Sequence, residues 1–380
     1  MFKYSMLFLL APLICLSQEK EIWVDKPFAE WPQIALTNHV QFQNGDRYIA
    51  PSFTYAGTGF TIDTVKDTLA ATAKHVLWIA KNVKSSAVQL NDQLDKWIMK
   101  PKGDTKDSVL IDRLINEDST EVLEGSGSTI TERDWLVFSI KKTDPNIYPL
   151  KPRYTTLPPN EKVYILSCAY GDSNCTVMEG KLLRKEGMDL LLETTGKNRP
   201  GSSGSPVIDS NGHLVGILSS ATMDNTTGKS IIVAVSTEYL YEVLHEKKGY
   251  NTPKKDYGEL LLNTVMNKGA KEAVKQYQNL IKDPKNYYSY NLRSSNRNGL
   301  REVGEKLIGL NKIDDAIEIL ELNAKVNSSF FINHNLLAKA YVMNGNKKEA
   351  INSYRLSIQK FGNQDRNEAF GELAKLAEKY

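Results

Sequence analysis

Three hundred and eighty residues, at about 150 per domain, predict two or three domains. Hydrophobic residues make up 41% and charged residues 24%, too apolar for disorder, and no internal run of about 18 apolar residues offers a membrane span. Lys plus Arg (48) against Asp plus Glu (45) leaves +3 with no basic stripe, which excludes nucleic acid as a partner; three Cys and five His in no ligand spacing exclude a structural zinc site and name no cofactor.

Residues 1–17 run from a single early charge, Lys3, through an apolar stretch between Met6 and Leu16 to the small Ser17. That order predicts a secretory signal peptide cleaved between Ser17 and Gln18, and the stretch is too short for a transmembrane helix. A lipid anchor on Cys15 would want a small residue where Ile14 stands. The chain is therefore expected to be exported, to a periplasm or to the extracellular space. Residues 18–44 read as an N-terminal extension.

From about Asp46 to Val235, short runs rich in Val, Ile, Leu, Tyr and Thr are broken by Gly, Asn, Asp and Pro, which predicts an all-β domain over 45–250. Strands are expected at 59–62, 68–73, 135–140, 163–166, 190–193, 206–208 and 214–218. Asn211-Gly212 between the last two is a two-residue hairpin signal. Cys168 and Cys175 flank a polar turn between two predicted strands. They either close a disulfide across the base of that hairpin, which an oxidising compartment permits, or pack as two small thiols. Asn251-Thr252-Pro253 marks a boundary, after which the apolar spacing becomes helical.

The helical part, 256–380, repeats itself. Asn311-Lys312-Ile313-Asp314-Asp315-Ala316 aligns with Gly345-Asn346-Lys347-Lys348-Glu349-Ala350, which places Ala316 and Ala350 34 residues apart. Leu320 and Tyr354 follow at matching positions, and a weaker copy runs through Ala273 and Tyr277. Paired helices at this period resemble the tetratricopeptide repeat, which implies a solenoid that binds a protein partner, with a terminal helix near 367–378 as its cap.

The densest motif is Pro200-Gly201-Ser202-Ser203-Gly204-Ser205-Pro206. Its glycines let the backbone turn tightly enough for one hydroxyl to project and for adjacent N–H groups to converge on one point. This G-x-S-G-S-P resembles the nucleophile loop of trypsin-like serine proteases of the chymotrypsin fold. The resemblance implies Ser203 as nucleophile and the N–H groups of Gly201 and Ser203 as the oxyanion hole. Thr72-Ala73-Lys74-His75-Val76 resembles the family's T-A-x-H-V and implies His75 as general base. Arg133-Asp134-Trp135-Leu136-Val137 resembles the Asp ahead of an apolar strand; Asp118 and Asp144 share the window, but only Asp134 precedes an uninterrupted apolar run. The order His75, Asp134, Ser203 is that of chymotrypsin. Gly57-Thr58-Gly59-Phe60 is similar to the strand that opens the family's first barrel.

Departures from the family narrow the likeness. No Ile-Val-Gly-Gly start is present, and Ser202 stands where animal trypsins carry Asp, so activation by their zymogen switch is not expected. The chain looks closer to the bacterial branch, such as the high-temperature-requirement proteases and the staphylococcal glutamyl endopeptidase, with helical repeats in place of a PDZ domain. Residues 85–128 are long and polar and read as a surface insertion near the cleft. By the same resemblance, Ser219, Ser220 and Ala221 wall the primary specificity pocket and Lys197 lies near its floor. A lysine there favours an acidic residue before the scissile bond, or is merely solvated.

The expected architecture is thus multidomain β plus α: a chymotrypsin-like double β-barrel followed by an α-helical, tetratricopeptide-like solenoid. The expected function is that of a secreted serine endopeptidase acting on a protein or peptide substrate, without cofactor or metal. Rival readings are a protease-fold scaffold acting through its repeats, and an esterase-type acyl hydrolase.

Overall fold

The computed structural model describes residues 19–43, 53–81, 86–88, 90, 94–103, 106–123, 133–196, 198–224, 227, 229–246, 255–283, 286–292, 299–360 and 366–378. The expected signal segment, Cys15 and Lys197 lie outside them. Among the described residues no helix is long and apolar enough to cross a membrane.

Two closed six-stranded antiparallel barrels come first. The first uses β1 (Leu36–Phe42), β2 (Thr58–Asp63), β3 (Thr68–Thr72), β5 (Leu94–Lys100), β6 (Val109–Leu114) and β8 (Leu136–Thr143), in the order β1-β2-β3-β8-β6-β5. A short helix, α1 (Val76–Lys81), follows β3, and β4 (Ser86–Val88) pairs with β7 (Asp118–Leu123) as a separate ribbon. The second barrel uses β9 (Lys162–Ser167), β10 (Thr176–Glu186), β11 (Asp189–Thr194), β12 (Pro206–Asp209), β13 (Leu214–Met223) and β14 (Ser230–Ser236), in the order β10-β11-β14-β13-β12-β9.

Three expectations change here. Residues 36–42, read as part of an extension, form β1 and pair with β2 and β5, so the barrel begins ahead of residue 45. The polar 85–128 segment contributes β5 and β6 to the barrel itself. Trp97, Met99, Val109 and Ile111 turn inward and are buried, while the charged Lys96, Asp112 and Arg113 that flank them point out and dilute the apolar signal. The Asn211-Gly212 turn is longer than two residues. Asp209 accepts the N–H groups of Asn211 and His213 on one carboxylate oxygen, which holds a four-residue connection between β12 and β13.

The apolar runs of β11 and β14 are buried on both faces. Leu190, Leu192, Ile232 and Ala234 fill the second barrel, whereas Leu191, Ile231 and Val233 form a cluster with Leu183 on its outside. The barrels share one continuous core at their junction, where the Trp135 indole N–H donates to the Val235 carbonyl at 3.3 Å. An N-terminal strap crosses the junction. The Glu21 N–H donates to the Asn211 carbonyl, Trp23 packs on Tyr148 and Trp31 on Tyr164, and the chain then enters β1.

After α2 (Thr237–Tyr241), helices follow: α3 (Tyr257–Lys268), α4 (Ala270–Lys282), α5 (Asn286–Ser289), α6 (Gly299–Gly309), α7 (Ile313–Val326), α8 (Phe331–Met343), α9 (Lys347–Lys360) and α10 (Arg366–Glu378). Helix α3 packs on α4 and α6, α4 on α5 and α7, and from α6 to α10 each helix packs on the next. The small Ala273, Ala316 and Ala350 are fully buried where helices cross. Asn311 and Gly345, 34 positions apart, both turn with positive φ (56° and 75°) between helices. This helical region sits against the outer face of the second barrel, with Tyr287 over the β10–β11 turn at Gly187 and the Ser329 hydroxyl on the Asp224 carbonyl at 3.2 Å.

Candidate active site

Each barrel delivers part of one hydrogen-bonded chain. β3 ends at Thr72, and the backbone turns through Ala73-Lys74-His75 into α1, each turn carbonyl taking an N–H three residues on. That turn presents His75 at the junction, 8% exposed. Asp134, 1% exposed, stands just ahead of β8, the neighbour of β3. Ser203 lies in the tight turn before β12 of the other barrel.

The structure brings all three together. His75 Nδ1 is 2.7 Å from Asp134 Oδ2, and the His75 backbone N–H donates to Asp134 Oδ1 at 2.8 Å. His75 Nε2 is 2.7 Å from Ser203 Oγ. The Ser219 hydroxyl also donates to Asp134 Oδ2. Burial alone pushes the imidazole of His75 down, but the charge of Asp134 and its hydrogen bond more than reverse this, and His75 stands above its ordinary value. Burial alone pushes the Asp134 carboxyl up; His75 and the Ser219 hydroxyl outweigh it and hold it below the usual carboxylate range. An ionised Asp134 accepts a hydrogen bond from the Nδ1–H, which leaves the Nε2 lone pair facing the Ser203 hydroxyl.

The loop around Ser203 is fixed from its carbonyl side. Because a peptide unit is planar and trans, anchoring its C=O aims its N–H the opposite way. The Pro200 carbonyl accepts from the Tyr170 N–H at 3.0 Å, which orients the N–H of Gly201. The Ser202 carbonyl accepts from the N–H and the hydroxyl of Ser205, at 3.0 and 2.6 Å, which orients the N–H of Ser203. Among the described residues neither of those two N–H groups has an acceptor. Gly201 (φ 95°) could not be another residue, since a Cβ there would lie 2.7 Å from the Tyr170 nitrogen. At Gly204 (φ 85°) it would lie 2.1 Å from the Thr58 carbonyl oxygen.

The geometry is that of an acyl-transfer site: a nucleophile on a base, the base on a carboxylate, and two free donors beside the nucleophile. Residues 57–217 match the trypsin-like peptidase domain family. The chain carries a trypsin-like serine peptidase domain. Among solved structures, the Rv3671c protease of M. tuberculosis in its active form is 17% identical at TM-score 0.39, over 64% of this chain and 93% of that one. The HtrA-type protease AlgW with a decapeptide is 14% identical at TM-score 0.38, over 57% of this chain and 65% of that one. No curated protein matches in sequence.

The remaining expected site residues fall as follows. Cys168 and Cys175 are disulfide-bonded with Cα atoms 4.2 Å apart, closing the β9–β10 connection. Ser219 is buried with its hydroxyl on Asp134, so it supports the carboxylate, while Ser220 and the exposed Ala221 continue along β13. Two residues escaped the sequence reading. Thr58 Oγ1 donates to the Gly201 carbonyl at 2.9 Å and accepts the Cys168 N–H at 3.1 Å; Tyr170 holds Pro200. The only trace of Thr58 in the sequence is its place in Gly57-Thr58-Gly59-Phe60, which does not show its link to Gly201, and Tyr170 acts through its backbone and leaves none.

Proposed function

We propose that the protein is an exported serine endopeptidase that cleaves peptide bonds through an acyl-enzyme. The observation that carries the reading is the unbroken chain Asp134–His75–Ser203, with both links at 2.7 Å. As Ser203 Oγ attacks the scissile carbonyl carbon, its proton passes to His75 Nε2. Asp134 keeps Nδ1 protonated and stabilises the imidazolium. The N–H groups of Gly201 and Ser203 receive the developing oxyanion. His75 then gives its proton to the departing amine, and deprotonates the water that hydrolyses the ester on Ser203.

The bound peptide lies along β13 beside Ser220 and Ala221, and the preference read from Lys197 in the sequence is for an acidic side chain before the scissile bond. The helical region serves as a tetratricopeptide-like surface for a protein partner, a reading supported by the matched turns at Asn311 and Gly345 and the buried Ala316 and Ala350. A fluorophosphonate probe should label the protein on Ser203. Ser203→Ala and His75→Ala should each lower casein cleavage by about 10⁴-fold or more without unfolding the chain, and the two losses should not add. Labelling that persists in Ser203→Ala, or casein cleavage retained in His75→Ala, ends this assignment.

A further inference from the structure

The bridge between Cys168 and Cys175 stands at the end of a short path to the nucleophile loop. The connection it closes is mostly polar and its tip is exposed at Gly171, Ser173 and Asn174, while at its base Ala169 is buried and the Tyr170 ring packs on Phe53 and Tyr55. This connection carries the Tyr170 N–H, the donor that anchors the Pro200 carbonyl at 3.0 Å. The contact between the two loops is close: the Tyr170 ring lies against Gly201, and polar pairs flank it. Arg199 pairs with Asp172 at 2.5 Å, and Thr58 Oγ1 joins the Cys168 N–H to the Gly201 carbonyl. Lys102 donates to the Ala169 carbonyl on the far side.

The peptide joining Pro200 to Gly201 needs such an anchor. Glycine puts no Cβ in the way of rotation about its φ, so sterics within the loop set only a low barrier to turning that peptide plane. If it turned, the Gly201 N–H would leave the oxyanion hole and a carbonyl oxygen would face the spot where negative charge develops.

We infer that the Cys168–Cys175 loop is a positioning element of the oxyanion hole: the bridge fixes the loop, Tyr170 fixes the Pro200 carbonyl, and the Gly201 N–H is thereby held on target. The inference rests on the serine-peptidase reading and deepens it. None of these groups touches substrate, so their effect falls on transition-state stabilisation and leaves ground-state binding alone.

The test treats the folded, full-length protein with dithiothreitol. This two-electron reduction opens the Sγ–Sγ bond to two thiols, counted by mass after alkylation, and the reagent leaves as its cyclic disulfide. Four quantities are read before and after: kcat and KM on a peptide amide, the inhibition constant of a peptide aldehyde, and the dissociation constant of the matching product peptide. The aldehyde forms an oxyanion on Ser203, whereas the product peptide does not. Reduction should lower kcat by at least about tenfold, toward the hundredfold that loss of one oxyanion donor costs. Aldehyde affinity should fall in step, with KM and product affinity within about twofold. The Cys168→Ala/Cys175→Ala double variant should reproduce this split. If the chain without its bridge unfolds, Arg199→Gln, which frees Asp172 and keeps the bridge, must show the same split in smaller measure.

An unchanged kcat in the fully reduced, folded protein overturns the inference. So does a fall in product affinity equal to the fall in kcat, because a general loosening of the cleft would do that. Oxidised wild-type protein that neither turns over nor takes the fluorophosphonate label defeats the peptidase reading itself, a result distinct from an active enzyme indifferent to reduction.

Discussion

Three donors converge on the Asp134 carboxylate: the His75 ring, the His75 backbone and the Ser219 hydroxyl. They keep it ionised in a site with almost no solvent, and the ionised form in turn holds a proton on the imidazole. Catalysis needs His75 neutral at Nε2, so activity should be lost as pH falls through a midpoint above about 6.5, the ordinary histidine value. Asp134→Asn removes the charge that raises His75 and favours the wrong tautomer, so it should cost about 10⁴-fold in kcat and move the acid limb to lower pH. A kcat/KM profile of wild type with its acid midpoint at or below the ordinary value would contradict this account. The same pairing should add stability that is complete below the unfolded imidazole's pKa and is lost as pH rises through the raised folded value. At this scale His75, Asp134 and Ser203 were legible because each sits inside a local motif. Ser219 was read only as a pocket wall, and its bond to Asp134 was not legible, since what it touches depends on how β13 approaches the residue before β8.

Strands differed in how plainly they announced themselves. Those with a compact apolar run, such as β8 and β11, were legible; β5 and β6 were not, because their apolar triplets, Trp97–Met99 and Val109–Ile111, are short and lie among charges in a polar segment. The β13–β14 hairpin shows a further dependence that no single strand reveals. Its far end holds Asp224, whose carboxyl burial alone would raise, but which Arg184 and the Thr227 N–H pull down to about 2. Arg184→Gln would leave that carboxylate, 3% exposed, without its cation. Because the Arg184 side chain is 39% exposed, the expected loss is held to about 1–2 kcal/mol at neutral pH. The stabilisation is present above the ordinary aspartate value near about 4 and is lost as pH falls toward about 2, so the gap between wild type and variant should close there. Urea unfolding at both pH values measures it, and a gap independent of pH would refute the pairing.

Taken as a whole molecule, the chain has its helices seated on the peptidase barrel. Leu191, Ile231 and Val233 face outward from the second barrel and are each no more than 2% exposed. In the sequence these positions read only as buried strand, with nothing to say what covers their outer side. A helical region that merely extended from the barrel would leave small-ester hydrolysis intact in a chain ending near residue 253. With Tyr287 over Gly187 and Ser329 on Asp224, the covering role governs instead. Such a truncated chain should expose this face, aggregate, and lose ester turnover and protein cleavage together. Gel filtration alongside an ester assay decides; a monodisperse truncated protein with full ester turnover would refute the covering role. The 34-residue repetition was legible in the sequence, but its seat on the barrel was not, because contacts between distant segments leave no period to read.

The N-terminal strap puts the two barrels under a constraint of time. Glu21 and Trp23 belong to the start of the chain, yet their partners include Asn211 and the Gly212 turn, near the end of the second barrel. During synthesis the docking site of this strap stays incomplete until the β12–β13 turn has been made. Docking also depends on both barrels having closed, since Trp23 rests on Tyr148 and Trp31 on Tyr164. The strap is therefore expected to be the last piece to settle, and a chain-spanning closure of this kind is slow. In refolding, return of esterase activity should lag behind recovery of β structure and keep pace with burial of Trp23 and Trp31, followed by indole fluorescence. Activity that returned before those indoles were buried would show that the strap is not what completes the site. A nascent chain built in this order carries Ser203 well before it can use it, and stays idle until its own beginning is tied down.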